Sequence, residues 1–231
     1  MKKNYYSQLN NKTYYSQLNN KTKYKEYLYS GFLGKLFNIN HRLMEKYNFK
    51  PMNKILEIGG GFVPHINYVK YHFKEYHCVD LASAKGLKEY MKKNYQNIIF
   101  KYYNGKKLNF KNNSFDRIII SHCLEHILEP EKFINEMLRV LKKKGIISIA
   151  LPCDPGILWR LGRFMMKKTY LKRKMRKKYD HDYIIATEHI NSIFNLYTII
   201  KKKFKVIKES FYPLNVNIID INFFYICHIK K

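Results

Sequence analysis

Three consecutive glycines, Gly59, Gly60 and Gly61, follow the apolar run Ile55–Ile58, and Asp80 closes the next apolar run 80 − 59 = 21 residues after the first of them. Glycine after a strand lets the chain turn tightly and lets a ligand approach the backbone, and the N–H groups opening the following segment are unpaired donors. A carboxylate ending the neighbouring strand can accept hydrogen bonds from both hydroxyls of a ribose. The pair points to a nucleoside-containing cofactor. A dinucleotide fingerprint needs a third glycine where Pro64 stands, which disfavours a pyrophosphate-bearing one. A second group of reactive side chains comprises His122, His126 and His189, imidazoles that titrate near neutrality and can act as general bases. His122 directly follows the run FDRIIIS. Glu188 and His189 precede a helical stretch, where the competing reading is a plain helix start capped by Asn191. Asp154 either orients a substrate or is a turn residue in PCDPG.

The elements that must position these groups follow from periodicity. KILEI reads as a strand. HINYVKYHF spaces Ile66, Val69 and Phe73 as a helix does, with Pro64 in its first turn. YHCVD is a second strand, residues 82–93 a helix, and NIIFKYY and FDRIIIS two further strands. Phe133, Ile134, Met137, Leu138 and Leu141 share one helical face with Gly145 as terminator, and IISIALP has the continuous apolar character of a strand covered on both faces. This alternation predicts an α/β chain with a Rossmann-like open sheet, mostly parallel, with helices on both faces. Residues 191–203 read as a helix. FKVIKESF and NVNIIDINFFYICHIKK read as strands joined by a short turn over residues 212–216, and so close a return must be antiparallel.

The 231 residues suit one domain with a sizeable core, and a hydrophobic fraction of 46% excludes disorder of the whole chain. No apolar run approaches the roughly 20 residues of a membrane span, and MKKNYYSQLNNKTYY lacks a secretory apolar region, so a cytoplasmic protein is expected. Cys78, Cys123, Cys153 and Cys227 form no CxxC pair; this suits a reducing compartment, argues against structural zinc, and no metal is expected. Lys and Arg total 44 against 17 Asp and Glu, a formal charge of +27. A chain crowded with Lys, Asn, Ile and Tyr reflects A- and T-rich codons as readily as an anionic partner, so only local clustering counts. The nonapeptide YYSQLNNKT occurs at 5–13 and again at 14–22, too short and too few for a solenoid; residues 1–30 read as an extension and 31–231 as the domain. Residues 153–186 read as an insertion on the acceptor side. It contains Ile157, Leu158, Trp159, Leu161, Phe164, Met165 and Met166, then eight basic residues within 167–178. Residues 157–178 thus suit peripheral contact with an anionic membrane at its inner face, capture of a phosphate-bearing acceptor, or a merely solvated helix.

At ILEIGGG, at Val79 and Asp80, at LNFKNNSFDRIIISHCLEHI, at RVLKKKG and at IISIALP, in that order over roughly residues 50–152, the chain resembles the class I S-adenosylmethionine-dependent methyltransferases of the type-11 group. The resemblance implies a sheet of seven strands with a reversed terminal strand, and S-adenosyl-L-methionine as cofactor. It implies that Glu57 and the loop Gly59, Gly60 and Gly61 face the methionine portion, Asp80 and Leu81 the ribose, and Asn104 the adenine, with Ser121 and His122 beside the cofactor. The chain departs from the family pattern at Val63, Asn104 and Lys144. Because LEHI recurs across unlike substrates in the family, His126 is expected to be structural. The implied activity is methyl transfer to a small-molecule, glycan or lipid-linked acceptor on oxygen, with His122 or His189 as base. RNA methylation is the alternative that the charge favours, although no catalytic cysteine motif, N-P-P-Y-type tetrapeptide or accessory RNA-binding module is present. A cofactor-binding scaffold without catalysis is a third reading, opposed by the intact Gly59, Gly61 and Asp80.

Overall fold

Successive apolar runs pair side by side into one sheet. The structure, a computed structural model, describes residues 31–61, 64–81, 86–169, 186 and 188–231. Its strands are β1 (Met52–Ile58), β2 (Phe73–Leu81), β3 (Ile98–Tyr103), β4 (Phe115–Ser121), β5 (Leu141–Pro152), β6 (Val206–Tyr212) and β7 (Phe224–Lys230). The helices are α1 (Gly31–Met44), α2 (Leu87–Asn94), α3 (Pro130–Val140), α4 (Ile157–Thr169) and α5 (Ile193–Lys203). Strand order is β3-β2-β1-β4-β5-β7-β6, with β1 to β5 pairing in parallel and β7 antiparallel to both β5 and β6. The order reverses between β1 and β4, and the crevice at the carboxyl ends there is where such sheets take ligands. The expected mixed sheet of seven strands with a reversed terminal strand is what forms.

Alternate strand residues feed two cores, as a period of two requires. Leu56, Ile58, Ile118, Ile120, Ile147 and Ile149 meet Phe133, Ile134 and Met137 of α3 and Leu196 and Ile200 of α5. On the other face Ile55, Tyr76, Ile119, Ala150 and Ile226 pack with Leu36 and Met44 of α1. No helix among the described residues is long and apolar enough to cross a membrane.

Several expected elements differ. HINYVKYHF forms only a 3-10 turn at His65–Tyr68, and Phe73 already belongs to β2, opposite Met52. The His65 N–H is taken by the Glu57 carboxylate and its ring by Glu45, so this segment is pulled inward; α1 covers the face instead. Gly145 does not end a helix. α3 stops at Val140, and Gly145 lies within β5, in an irregularity between the pairs Phe115↔Leu141 and Arg117↔Ile146. A Cβ there would come 2.7 Å from Leu141 Cγ and 2.9 Å from the Asp116 carbonyl oxygen, so only glycine lets the chains approach this closely. β7 begins at Phe224, later than the apolar run suggests, because Asn222 ties up residues 213–223: its carboxamide accepts from Leu214 N–H and donates to the Val216 and Ile218 carbonyls. The cap of α5 is Ser192, which accepts from Asn195 N–H; Asn191 donates to the Ile127 carbonyl. On α4 the apolar residues do not all pack inward: Trp159 sits edge-on to Phe224, whereas Ile157, Leu161, Phe164 and Met165 are more than half exposed. The nonapeptide repeat, Val63, the start of the helix expected at 82 and the basic residues 172–178 lie outside the described residues.

Candidate functional site

The first half of the site is the turn after β1. Gly59 and Gly61 have φ of +71° and +52°, the left-handed region that side chains disfavour. A Cβ on Gly59 would stand 2.8 Å from Cys123 Sγ, and one on Gly60 2.8 Å from Cys78 Sγ, so both contacts require glycine. Among the described residues no atom lies within 4 Å of the Cβ position of Gly61. Asp80, at the end of β2, closes this loop: its Oδ2 accepts from Gly61 N–H at 3.1 Å and its Oδ1 from Leu81 N–H at 2.7 Å. Burial pushes its carboxyl up to about 6, against the pull of those two donors. Each of its oxygens has a second lone pair with which to accept one further donor.

Glu57 works from beneath. Both of its oxygens are engaged, one by His65 N–H and one by the Tyr76 hydroxyl, each at 2.8 Å, and it is 2% exposed. Burial, reinforced by Asp80, pushes it up to about 7. In this conformation it braces the glycine turn. Asn104, after β3, uses its side-chain oxygen to accept from Lys106 and Lys107 N–H, so an adenine amino group would have to share that oxygen. Ser121, ending β4, accepts from Asn40 of α1 at 3.0 Å, and the buried Asn40 Oδ1 has no partner among the described residues.

The second half surrounds the end of β4. His122 has φ of +48°, a strained conformation of the kind that clusters at functional sites, and its ring lies edge-on to Phe224 at 5.3 Å. Burial, then the neighbouring His189 and His126, pull its pKa down to about 3, so the ring is neutral at physiological pH. Asn191 N–H donates to the Glu125 carbonyl and Ile193 N–H to the Asp154 carbonyl, which stitches residues 188–193 across the ends of β4 and β5. That stitching brings His189 Nδ1 to 2.8 Å from Asp154 Oδ2 and His126 Nδ1 to 2.8 Å from the Glu188 carbonyl. Burial alone lowers the His189 pKa, but the Asp154 hydrogen bond and the Glu125 charge hold it above its ordinary value. Gly59 abutting Cys123 joins the two halves.

Glu125 and Asn40 escaped the sequence reading, as did a buried network on the α1 face. Arg117, fully buried, donates to Glu45, to the Tyr71 hydroxyl at 2.9 Å and to Ser148 Oγ at 2.8 Å, and its guanidinium lies 3.7 Å from the Phe49 ring centre. Arg117 reads as one polar interruption in an apolar strand, and nothing local identifies its partners.

The profile of a methyltransferase domain family matches residues 56–149. A demethylmenaquinone methyltransferase of Paenarthrobacter aurescens (strain TC1) is 46% identical over 54 residues, 23% of this chain, and the chain spans only 21% of that protein's length. Among solved structures, an S-adenosylmethionine-dependent methyltransferase of Thermotoga maritima is similar over 94% of this chain and 98% of its own, with a TM-score of 0.60 at 16% identity. Phosphoethanolamine N-methyltransferase 2 of Haemonchus contortus, solved with S-adenosyl-L-methionine, aligns over 91% of this chain and 47% of its own, with a TM-score of 0.58 at 17% identity. At these identities the structural likeness speaks for the fold.

Proposed function

We propose that this chain, whose residues 56–149 match a methyltransferase domain family, transfers a methyl group from S-adenosylmethionine to an oxygen of a small-molecule, glycan or lipid-linked acceptor. The observation that carries this reading is the junction at Gly59 and Cys123, where the glycine turn held by Asp80 meets the segment bearing His122. When bound, the cofactor supplies a methyl group on a positively charged sulfur. The chain's own residues do the rest. Asp80 and Leu81 hold the ribose end; the turn 59–61 offers close backbone approach to the methionine end, with Glu57 fixing the turn; Asn104 borders the adenine; Ser121 and His122 line the floor. Methyl transfer demands mainly alignment in a site that excludes water, and the buried walls around His122 suit that demand. An acceptor hydroxyl would lie over His122 and His189 and lose its proton at this histidine and carboxylate cluster.

Small-molecule acceptors are favoured by the names of similar proteins, which include demethylmenaquinone and phosphoethanolamine methyltransferases. Contact with an anionic membrane surface is supported by the half-exposed Ile157 and Leu161, one helical turn apart on α4, next to Arg160. Two measurements test the proposal: calorimetry of the full chain with S-adenosylmethionine and S-adenosylhomocysteine, and transfer of labelled methyl into envelope extract against RNA. Binding with label in envelope material is expected. Label in RNA, or no binding by folded protein, overturns it.

A further inference from the structure

Two imidazoles and one carboxylate converge where the Leu124–His126 turn meets residues 188–193. One ligating atom from each of Glu125, His126 and His189 lies within 4.8 Å of the others. A carbonyl only accepts, so His126 Nδ1, 2.8 Å from the Glu188 carbonyl, carries the proton and Nε2 keeps a lone pair. His189 Nδ1, 2.8 Å from Asp154 Oδ2, is polarised in the same way. Ligating histidines characteristically give their other N–H to a carbonyl or carboxylate, which fixes the ring and raises its basicity. Both rings already have that support. Asp154 is in turn held by Arg163 at 3.6 Å.

Glu125 supplies the independent observation. It is 2% exposed, its Oε1 stands 3.8 Å from His122 Nδ1 and 3.9 Å from His126 Nε2, and its Oε2 has no hydrogen-bond partner among the described residues. A buried carboxylate oxygen without a donor is costly, and an enclosed cation removes that cost.

We propose that Glu125, His126 and His189 hold a divalent transition-series cation, Zn2+ or a neighbour of similar softness, with coordination positions left open. The ligand set decides the class: imidazole with one carboxylate suits zinc, cobalt and iron, whereas magnesium and calcium prefer oxygen alone. This reverses the expectation of no metal drawn from the sequence, where 189 − 126 = 63 residues separate the two ligating histidines. Only the consequence rests on the function proposed above: with both His189 nitrogens engaged, the cation would replace that ring as the group assisting proton loss, and an acceptor hydroxyl on an open position would release its proton to water more readily, with no change of oxidation state.

The test is titration of the full chain with Co2+, read by visible absorption, followed by displacement with Zn2+ in the presence of a chromophoric chelator. One equivalent is expected, with Mg2+ in excess failing to compete. Glu125→Gln, His126→Ala and His189→Ala should each weaken Zn2+ binding by about 100-fold or more, and Asp154→Asn by roughly 10-fold through its hold on His189. Melting curves and S-adenosylhomocysteine calorimetry show whether each variant is folded, with His189→Gln standing in should His189→Ala fail. Wild-type protein that binds S-adenosylhomocysteine but takes up no stoichiometric Co2+, or variants that keep full uptake, would overturn the inference and leave the methyltransferase reading intact. Uptake without nucleoside binding would do the reverse.

Discussion

If the cofactor sits as proposed, Asp80 and Gly59 are the single residues on which its binding turns. Asp80→Asn keeps the shape and removes the charge, and calorimetry should show S-adenosylmethionine affinity lower by roughly 10- to 100-fold, the size of a hydrogen bond to a charged group. The groups facing Asp80 are Glu57 on β1, Cys78 on its own strand, Cys123 after β4 and the N–H groups of Gly61 and Leu81. Burial pushes Asp80 up to about 6, so affinity for the nucleoside should fall as pH drops from 7 to 5, and this dependence should vanish in Asp80→Asn. Its effect on bare stability has the opposite sign. A folded-state pKa above the unfolded value means the native state holds the extra proton, so this carboxyl costs stability as pH rises from about 4 to about 6. Gly59→Ala forces a Cβ onto Cys123 Sγ at φ of +71°, and denaturant melts should register a loss of about 1–3 kcal/mol together with weakened binding. The placement of Gly59 and Asp80 at the ends of adjacent strands was legible because both strands are short apolar runs that follow one another in the chain. Asn40, Glu125 and the His126 and His189 pairing were not, since each acquires meaning only from a partner that the chain supplies far away.

At the scale of elements, α1 does what the expected helix after Gly61 does not. It seats Glu45 against Arg117 and His65, and although burial raises the Glu45 carboxyl, those two partners bring it below its ordinary value. Arg117→Met leaves that carboxylate buried and short of a cation, and thermal melts should show destabilisation of about 3–5 kcal/mol. Adding Glu45→Gln should restore part of the loss, the sign of direct coupling. The strands were legible from apolar runs because a sheet covered on both faces demands them; the fourth appears as its run suggests, whereas the fifth starts at Leu141, five residues ahead of its run. The first helix was misread because the spacing of Ile66, Val69 and Phe73 suits a helix in isolation, whereas Glu57, Glu45 and the register of β2 claim the segment. The end of α3 was misread because Leu141 continues the apolar period into the next strand. On α4, Leu161→Glu should reduce co-sedimentation with vesicles containing anionic phospholipid and leave S-adenosylhomocysteine binding unchanged; equal sedimentation of variant and wild type would remove the membrane contact from the proposal.

Across the whole molecule, a formal charge of +27 means that the native state carries considerable self-repulsion. Raising salt from roughly 0.05 M to roughly 0.5 M shortens the screening length severalfold, so the melting temperature should rise, and a flat response would show that the charges are already compensated. The seven-strand architecture was legible from alternation together with the closely spaced final strands, but not that β7 lies between β5 and β6, because register and neighbour choice belong to the assembled sheet. That insertion fastens the edge strand to the rest only through its neighbour. In deuterium exchange, the amides of β6 can therefore outlast those of β7 no longer than the ladder between them holds. The same ladder begins at Phe224, whose ring lies edge-on to His122, so fraying of the edge and the position of that imidazole are linked through one contact. A ligand that stills His122 should slow isotope uptake in a hairpin it does not touch.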